Sequence, residues 1–287
     1  MSLYISEKDD EPKNKKDLLI ARMHKFNNDK LDKNNYSYVY YSEDKKNGHS
    51  KLNIDDEHKF ISLPIKQKGQ IYSCYISGQS GSGKSTIASY LIEELMKQDK
   101  TIENIFYLTN QTVQDPAFKN LYKMKKKVLK EFKKNKFSKS QLIEIDEAIF
   151  ITLDINNPDL YNLPISTFEN SIMLFDDYEK LQNKDIEKKL ETLCAMILNM
   201  GRKLNISPII IRHKIQQSLK TAELLTEAQN IIVFPKYNLR DVKVFCEKYL
   251  QFSSEEISDI RNLETRSLLI RKTIPNFMIS DYEIKLF

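Results

Sequence analysis

From residue 71 onward, short apolar runs alternate with stretches whose apolar positions recur at helical spacing. Ile71 to Ser77 is a mainly apolar run between Gly69 and Gly78 and reads as a buried strand. Ser85 to Gln98 follows as a helix, with Ile87, Tyr90, Leu91, Glu94 and Leu95 at helical spacing. Further strands are expected at Asn104 to Leu108, Ser171 to Phe175, Ile206 to Ile211 and Ile231 to Phe234, the last ended by Pro235. Between and after them the pattern predicts helices at Leu121 to Phe132, Lys184 to Lys203, Ile215 to Ala228, Leu239 to Tyr249 and Ser254 to Arg261. Arg266 to Lys272 and Phe277 to Ile279 read as a closing hairpin around Pro275. Residues 1–60 differ: charge clusters and Asn-rich patches dominate, with a short helix near Leu18 to Met23 and a strand near Tyr36 to Tyr41. That segment reads as a polar arm, partly disordered.

Apolar strands alternating with helices predict an α/β fold, a mainly parallel sheet with helices on both faces. The expected division is the arm at 1–60 and one domain at 61–287. The domain carries a basic helical insertion at about 117–140 and C-terminal helices plus hairpin at 239–287. Ligands of such a sheet bind beyond the carboxyl ends of its strands, and the candidate motifs are sought there.

The sequence Gly78-Gln79-Ser80-Gly81-Ser82-Gly83-Lys84-Ser85-Thr86 satisfies G-x-x-x-x-G-K-[ST], with a strand before it and an amphipathic helix after it. Glycines let successive backbone N–H groups converge on phosphate oxygens, and the helix adds its positive end. Lys84 is expected to reach the β- and γ-phosphates of ATP and Ser85 to ligate Mg²⁺, with Thr86 packing nearby. A P-loop NTPase of RecA-like fold is the class these residues indicate.

Ser171-Ile172-Met173-Leu174-Phe175-Asp176-Asp177 is an apolar strand ending in two carboxylates. Asp176 is expected to hold the Mg²⁺ and Asp177 to act as general base toward the attacking water. A pair of helix N-cap residues is the competing reading.

Taken in order, Gly78 to Thr86, Leu174-Phe175-Asp176-Asp177, Gly201-Arg202-Lys203-Leu204-Asn205-Ile206-Ser207, and Glu227-Ala228 leading to Ile231-Ile232-Val233-Phe234-Pro235 resemble the genome-packaging ATPases of large DNA viruses. These form the poxvirus-type branch of the FtsK/HerA superfamily, and the resemblance covers about Ile71 to Phe287. It implies a DNA translocase working as a homo-oligomeric ring on double-stranded DNA with a capsid or portal component, in host cytoplasm or viral factory and in some cases virion-associated. Arg202 sits where the family has an arginine finger that acts on the neighbouring subunit's site; a helix C-terminal Arg opposing the dipole is the alternative. The family's sensor position falls on Arg212 or His213, of which His213 is favoured, although the family commonly has Gln there. Lys203 stands where the family often has His. The rival functions are a helicase or DNA-remodelling ATPase, and a nucleotide-binding scaffold with little turnover. A small-molecule kinase stands further off.

Composition changes this picture little. Hydrophobic residues make up 40% of 287, enough for a core, and no apolar run is long enough to span a membrane. The N-terminus lacks an apolar leader, so secretion is not expected. Cys74, Cys194 and Cys246 are far apart and form no CxxC pair, which argues against a disulfide framework or zinc site. The net charge of +5 permits a nucleic-acid partner without requiring one. The densest basic run, Lys123 to Lys139, could track DNA phosphates; a solvated helix face is the plainer reading.

Overall fold

The computed structural model describes residues 1–8, 10, 12–27, 30–44, 48–66, 69–110, 115–122, 150–178, 181, 183–215, 219–236 and 239–287. The basic run Lys123 to Lys139 lies outside the described residues, as does most of the expected insertion.

The first departure from expectation is at the N-terminus. The strands β1 (Ser2–Ser6), β2 (Leu18–Asn27), β3 (Lys30–Ser42), β4 (Lys51–Asn53) and β5 (His58–Ser62) replace the polar arm. Four of them form an antiparallel sheet in the order β1-β3-β2-β5. Leu3, Ala21 and Val39 are fully buried on one face, whereas Tyr36, Tyr38 and Tyr40 alternate onto the other. There Lys8 and Arg22 lie over the Tyr36 ring and Lys13 over that of Tyr4. Only one face is apolar, so the segment looks polar in sequence. The short helix expected near Leu18 to Met23 is part of β2. Register shifts between Leu19 and Ala21 and between His24 and Phe26 break the two-residue alternation that would have marked it as a strand.

Next come β6 (Cys74–Ser77), α1 (Lys84–Gln98), β7 (Asn104–Thr109), β8 (Phe150–Asp154), β9 (Ser171–Asp176), α2 (Lys184–Met200), β10 (Ile206–Arg212) and α3 (Leu219–Glu227). The strands pair in parallel in the order β6-β10-β9-β7-β8. Every residue of β6, β9 and β10 is buried, as a parallel sheet covered on both faces requires. Ile209, Ile210 and Ile211 are 0% exposed, each stabilising the fold by roughly 1.5–3 kcal/mol. The unexpected strand β8 is the outermost in this order and alternates in burial, so it carries no continuous apolar run.

Helix α2 starts on Asn183, whose side chain accepts from the N–H groups of Asp185 and Ile186. It ends at Met200 rather than Lys203, because the chain tightens into a 3-10 turn over Gly201–Leu204 and Asn205 turns it into β10 with φ 53°. A Cβ on Gly201 would stand 2.9 Å from the Ile206 carbonyl oxygen. Gly201→Ala is therefore expected to cost about 1–3 kcal/mol through overpacking. Thermal unfolding should register this as a lower midpoint.

The remaining elements are β11 (Asn230–Val233), α4 (Leu239–Tyr249), α5 (Ser254–Asn262), β12 (Leu268–Arg271), β13 (Phe277–Ile279) and β14 (Glu283–Leu286). The expected hairpin is the β12–β13 pair, extended antiparallel to β14 and β4 on one side and β11 on the other. By compactness, residues 1–65 and 229–287 make one unit and 66–228 the other. The C-terminal elements thus group with the N-terminal sheet, for example through Phe60 N–H donating to the Asp281 carbonyl at 2.8 Å, and not with the expected 61–287 domain. All three cysteines are buried and unpaired by disulfides, and burial pushes each thiol up to about 12.

Candidate nucleotide site

The phosphate loop leaves the sheet where β6 ends. Ser77 pairs with Arg212 of β10, and Gly78 N–H donates to the Arg212 carbonyl at 3.1 Å. Gly81 and Gly83 have φ of 77° and 106°, angles open to glycine and strained for other residues. Gly83 is the N-cap of α1, and that end has neither a side-chain cap nor an acidic residue in its first turn. A helix N-terminus of this kind suits an anion. The Lys84 side chain is folded over the loop, donating to the carbonyl oxygens of Gly78 at 2.8 Å and Gln79 at 3.1 Å. Ser85 is half-buried in the first turn and Thr86 is exposed, whereas Gln79 and Ser80 lie at the open tip and Ser82 is enclosed.

At the end of β9, Asp176 is 2% exposed and accepts a hydrogen bond from Tyr107 on β7 at 2.7 Å. Burial raises its carboxyl to about 6; the neighbouring charges of Asp177 and Asp115 add to this, and the Tyr107 hydrogen bond and the Lys84 charge oppose it. Lys84 follows β6 and Asp176 ends β9, strands separated by β10 alone in the sheet order. Asp177 departs from the strand with φ 46°, a left-handed conformation that Asp tolerates better than most residues. Helix α2 is capped by Asn183, so the acidic pair is not its cap.

The sheet order explains the next contact. Strand β10 lies between β6 and β9, so the chain leaving its carboxyl end emerges between the phosphate loop and the acidic pair. His213 Nε2 lies 2.9 Å from Asp177 Oδ2, and since a carboxylate oxygen only accepts, the imidazole presents Nε2–H there. Asp177 Oδ1 is buried and has no hydrogen-bond partner among the described residues. Arg212, the neighbouring sensor candidate, is 1% exposed and turned elsewhere, 3.4 Å from the Tyr178 hydroxyl, over the Tyr178 ring and 3.7 Å from Glu191. Its surroundings are structural.

Arg202 is not brought to this site. It is exposed in the turn before β10, at the edge where the strands begin, with no hydrogen bond or ion pair to any described residue. Lys203 is exposed beside it. Tyr107 joins the site without a signal in the sequence that singles it out. A tyrosine within an apolar strand, as Tyr107 is, reads as core.

The donors suit Mg²⁺. Among the described residues no three His, Cys, Asp or Glu side chains gather to cage a metal. Mg²⁺ is held through one or two carboxylates with waters and substrate phosphates supplying the rest. Ser85 and Asp176 fit that donor set, which leaves the unpartnered oxygen of Asp177 outside it. No helix among the described residues is long and apolar enough to cross a membrane.

A family model described as RNA helicase matches residues 74–177, from the first residue of β6 to the second acidic residue. The chain is 27% identical over 248 residues to the Sputnik virophage protein named Uncharacterized protein V3, covering 84% of this chain and 86% of that one. The genome packaging NTPase B204 of Sulfolobus turreted icosahedral virus 2, solved with ATP-gammaS, superposes with a TM-score of 0.44 at 13% identity, over 77% of this chain and 97% of that one. The cytoplasmic domain of the type VII secretion ATPase EccC of Thermomonospora curvata has a TM-score of 0.44 at 13% identity, covering 80% of this chain and 28% of that one.

Proposed function

We propose that this chain, a P-loop NTPase of RecA-like α/β fold, hydrolyses ATP with Mg²⁺ to translocate double-stranded DNA during viral genome packaging, its sites completed between subunits of a homo-oligomeric ring. The observation that carries the hydrolytic reading is the meeting of three strand ends. Lys84 follows β6, Asp176 and Asp177 end β9, and His213 follows β10 and bonds Asp177. The packaging role comes from the motif order in the sequence, above all Gly201 to Ser207.

In this reading the loop N–H groups hold the phosphates, and Lys84 exchanges the carbonyl oxygens of Gly78 and Gln79 for β- and γ-phosphate oxygens. Ser85 and Asp176 would hold Mg²⁺, which would supply charge neutralisation on those oxygens. His213 fixes Asp177 Oδ2, which leaves Oδ1 to take a proton from the attacking water. The water oxygen bonds the γ-phosphorus as the bond to the bridging oxygen breaks, and ADP departs. Arg202 from a neighbouring subunit meets the charge on the transferring phosphoryl group. A capsid or portal component completes the machine, which works in host cytoplasm or a viral factory.

The test is ATP hydrolysis by the purified protein with and without duplex DNA at low and high salt. Stimulation by DNA that fades with salt is expected, because phosphate contacts release counterions. Turnover indifferent to DNA would overturn the translocase reading, and negligible turnover in all conditions would favour a scaffold. A helicase is the second reading, favoured by the RNA helicase model that residues 74–177 match. Strand displacement with a fixed polarity would support it.

A further inference from the structure

We propose that Asn205 is a positioning residue for Arg202, and that it locks the finger-bearing turn to the edge where the strands begin. The inference rests on the reading of Arg202 as a finger acting in a neighbouring subunit. Asn205 ends the 3-10 turn, and its side chain spans the starts of several elements at once. Its Nδ2 donates to Thr101 Oγ1 at 2.8 Å, ahead of β7, and to Asn170 Oδ1 at 3.0 Å, ahead of β9. Its Oδ1 accepts from Lys66 Nζ at 2.6 Å, in the segment leading to β6. The backbone is held at the same place: Asn170 N–H donates to the Leu204 carbonyl at 3.0 Å and Ser171 N–H to the Asn205 carbonyl at 3.2 Å. Arg202 itself is exposed, so the turn beneath it is what sets its direction.

The lock is tied to the nucleotide site through α1. Lys66 also pairs with Asp99, the C-cap residue of α1, and the Lys66 side chain is only 8% exposed. Burial raises the Asp99 carboxyl, but its bonds to Lys66 and Thr101 outweigh this and hold it below the usual range. Helix α1 begins at Lys84 and has 15 residues, a rod of about 22 Å. One of its ends bears the phosphate loop; the other bears the carboxylate that grips the partner of Asn205. A subunit's own nucleotide site and the turn bearing the arginine it offers to its neighbour are thereby linked through a single helix, by way of Asp99, Lys66 and Asn205.

The test isolates what a subunit delivers from what it hydrolyses. Arg202→Ala protein, with an intact phosphate loop, is mixed with Lys84→Ala protein, whose own residual turnover is measured alone and subtracted and which still offers Arg202. Recovery of ATP hydrolysis is expected. The same mixture made with Lys84→Ala/Asn205→Gly should recover roughly 10²-fold less, the scale of a 1 Å misplacement at a reacting centre. Glycine accepts the positive φ at 205 and removes the side-chain bridge, with some added backbone freedom in the turn. Thr101→Val in the donor, which deletes one acceptor of Asn205 and leaves the turn intact, should give a smaller loss and decides the matter if the glycine variant fails to fold. Equal recovery with all donors would overturn the positioning role and leave the finger standing. No recovery with the simple Lys84→Ala donor would remove the finger reading, and this inference with it.

Discussion

Lys84→Ala is expected to lower ATP turnover by about 10²–10³, the usual effect of losing one preorganised donor to a charge-developing oxygen, and to weaken nucleotide binding as well. The Lys84 residue is 6% exposed and its ammonium group is already directed at oxygens, the carbonyls of Gly78 and Gln79. It therefore needs little reorganisation to engage phosphate. It also bears electrostatically on Asp176, the expected metal ligand, so its loss alters both halves of the site. Steady-state kinetics alongside a binding titration with a non-hydrolysable analogue would check this. Turnover within about tenfold of the parent would show that the loop is not the catalytic phosphate site, since even one lost donor costs more.

Arg202→Ala is expected to lower turnover further, by about 10³–10⁵ if the residue acts as an arginine finger, while leaving nucleotide affinity unchanged. The argument is one of reach. Arg212 pairs with Ser77 beside the phosphate loop, and Arg202 precedes the other end of the same strand, Ile206–Arg212. At about 3.3 Å per residue that strand separates them by roughly 20 Å, farther than an extended arginine side chain. Arg202 cannot serve the loop of its own subunit, so any catalytic effect must be exerted on another. A loss of turnover with retained binding, recovered on mixing with Lys84→Ala protein, is the expected pattern. Activity unchanged by the substitution would make Arg202 a surface residue at the end of a helix.

How much of the molecule is legible in the sequence depends on how local each feature is. The phosphate loop is legible because its requirements, glycines at Gly81 and Gly83 between a strand and a helix, lie within one short segment. The acidic pair is legible for the same reason. The choice between Arg212 and His213 is not, because it depends on β10 lying between β6 and β9, a pairing among residues far apart in sequence. Tyr107 is hidden likewise: its hydrogen bond to Asp176 crosses between strands separated by 69 positions. The strand expected near Tyr36 to Tyr41 lies within β3, but the rest of the N-terminal sheet escapes a sequence reading because its apolar residues face one way only and its longest strands carry register shifts. The Gly201 to Ser207 motif is visible in sequence as a pattern, and only the fold supplies its physics. Gly201 admits the Ile206 carbonyl, Asn205 supplies the left-handed turn and its bridge, and Ser207 Oγ accepts the Tyr72 N–H at 3.2 Å.

The burial of Cys74, Cys194 and Cys246, with thiols pushed up to about 12, has a practical bearing on how this chain can be labelled. Maleimide reacts with the thiolate, and near neutral pH these side chains are both enclosed and protonated. A cysteine introduced at an exposed position such as Lys203 would outpace the three native ones without their removal. A fluorophore placed there would sit next to Arg202 and on the opposite edge from the phosphate loop. Energy transfer between labelled copies would then test whether the chain assembles, and whether copies approach one another during turnover.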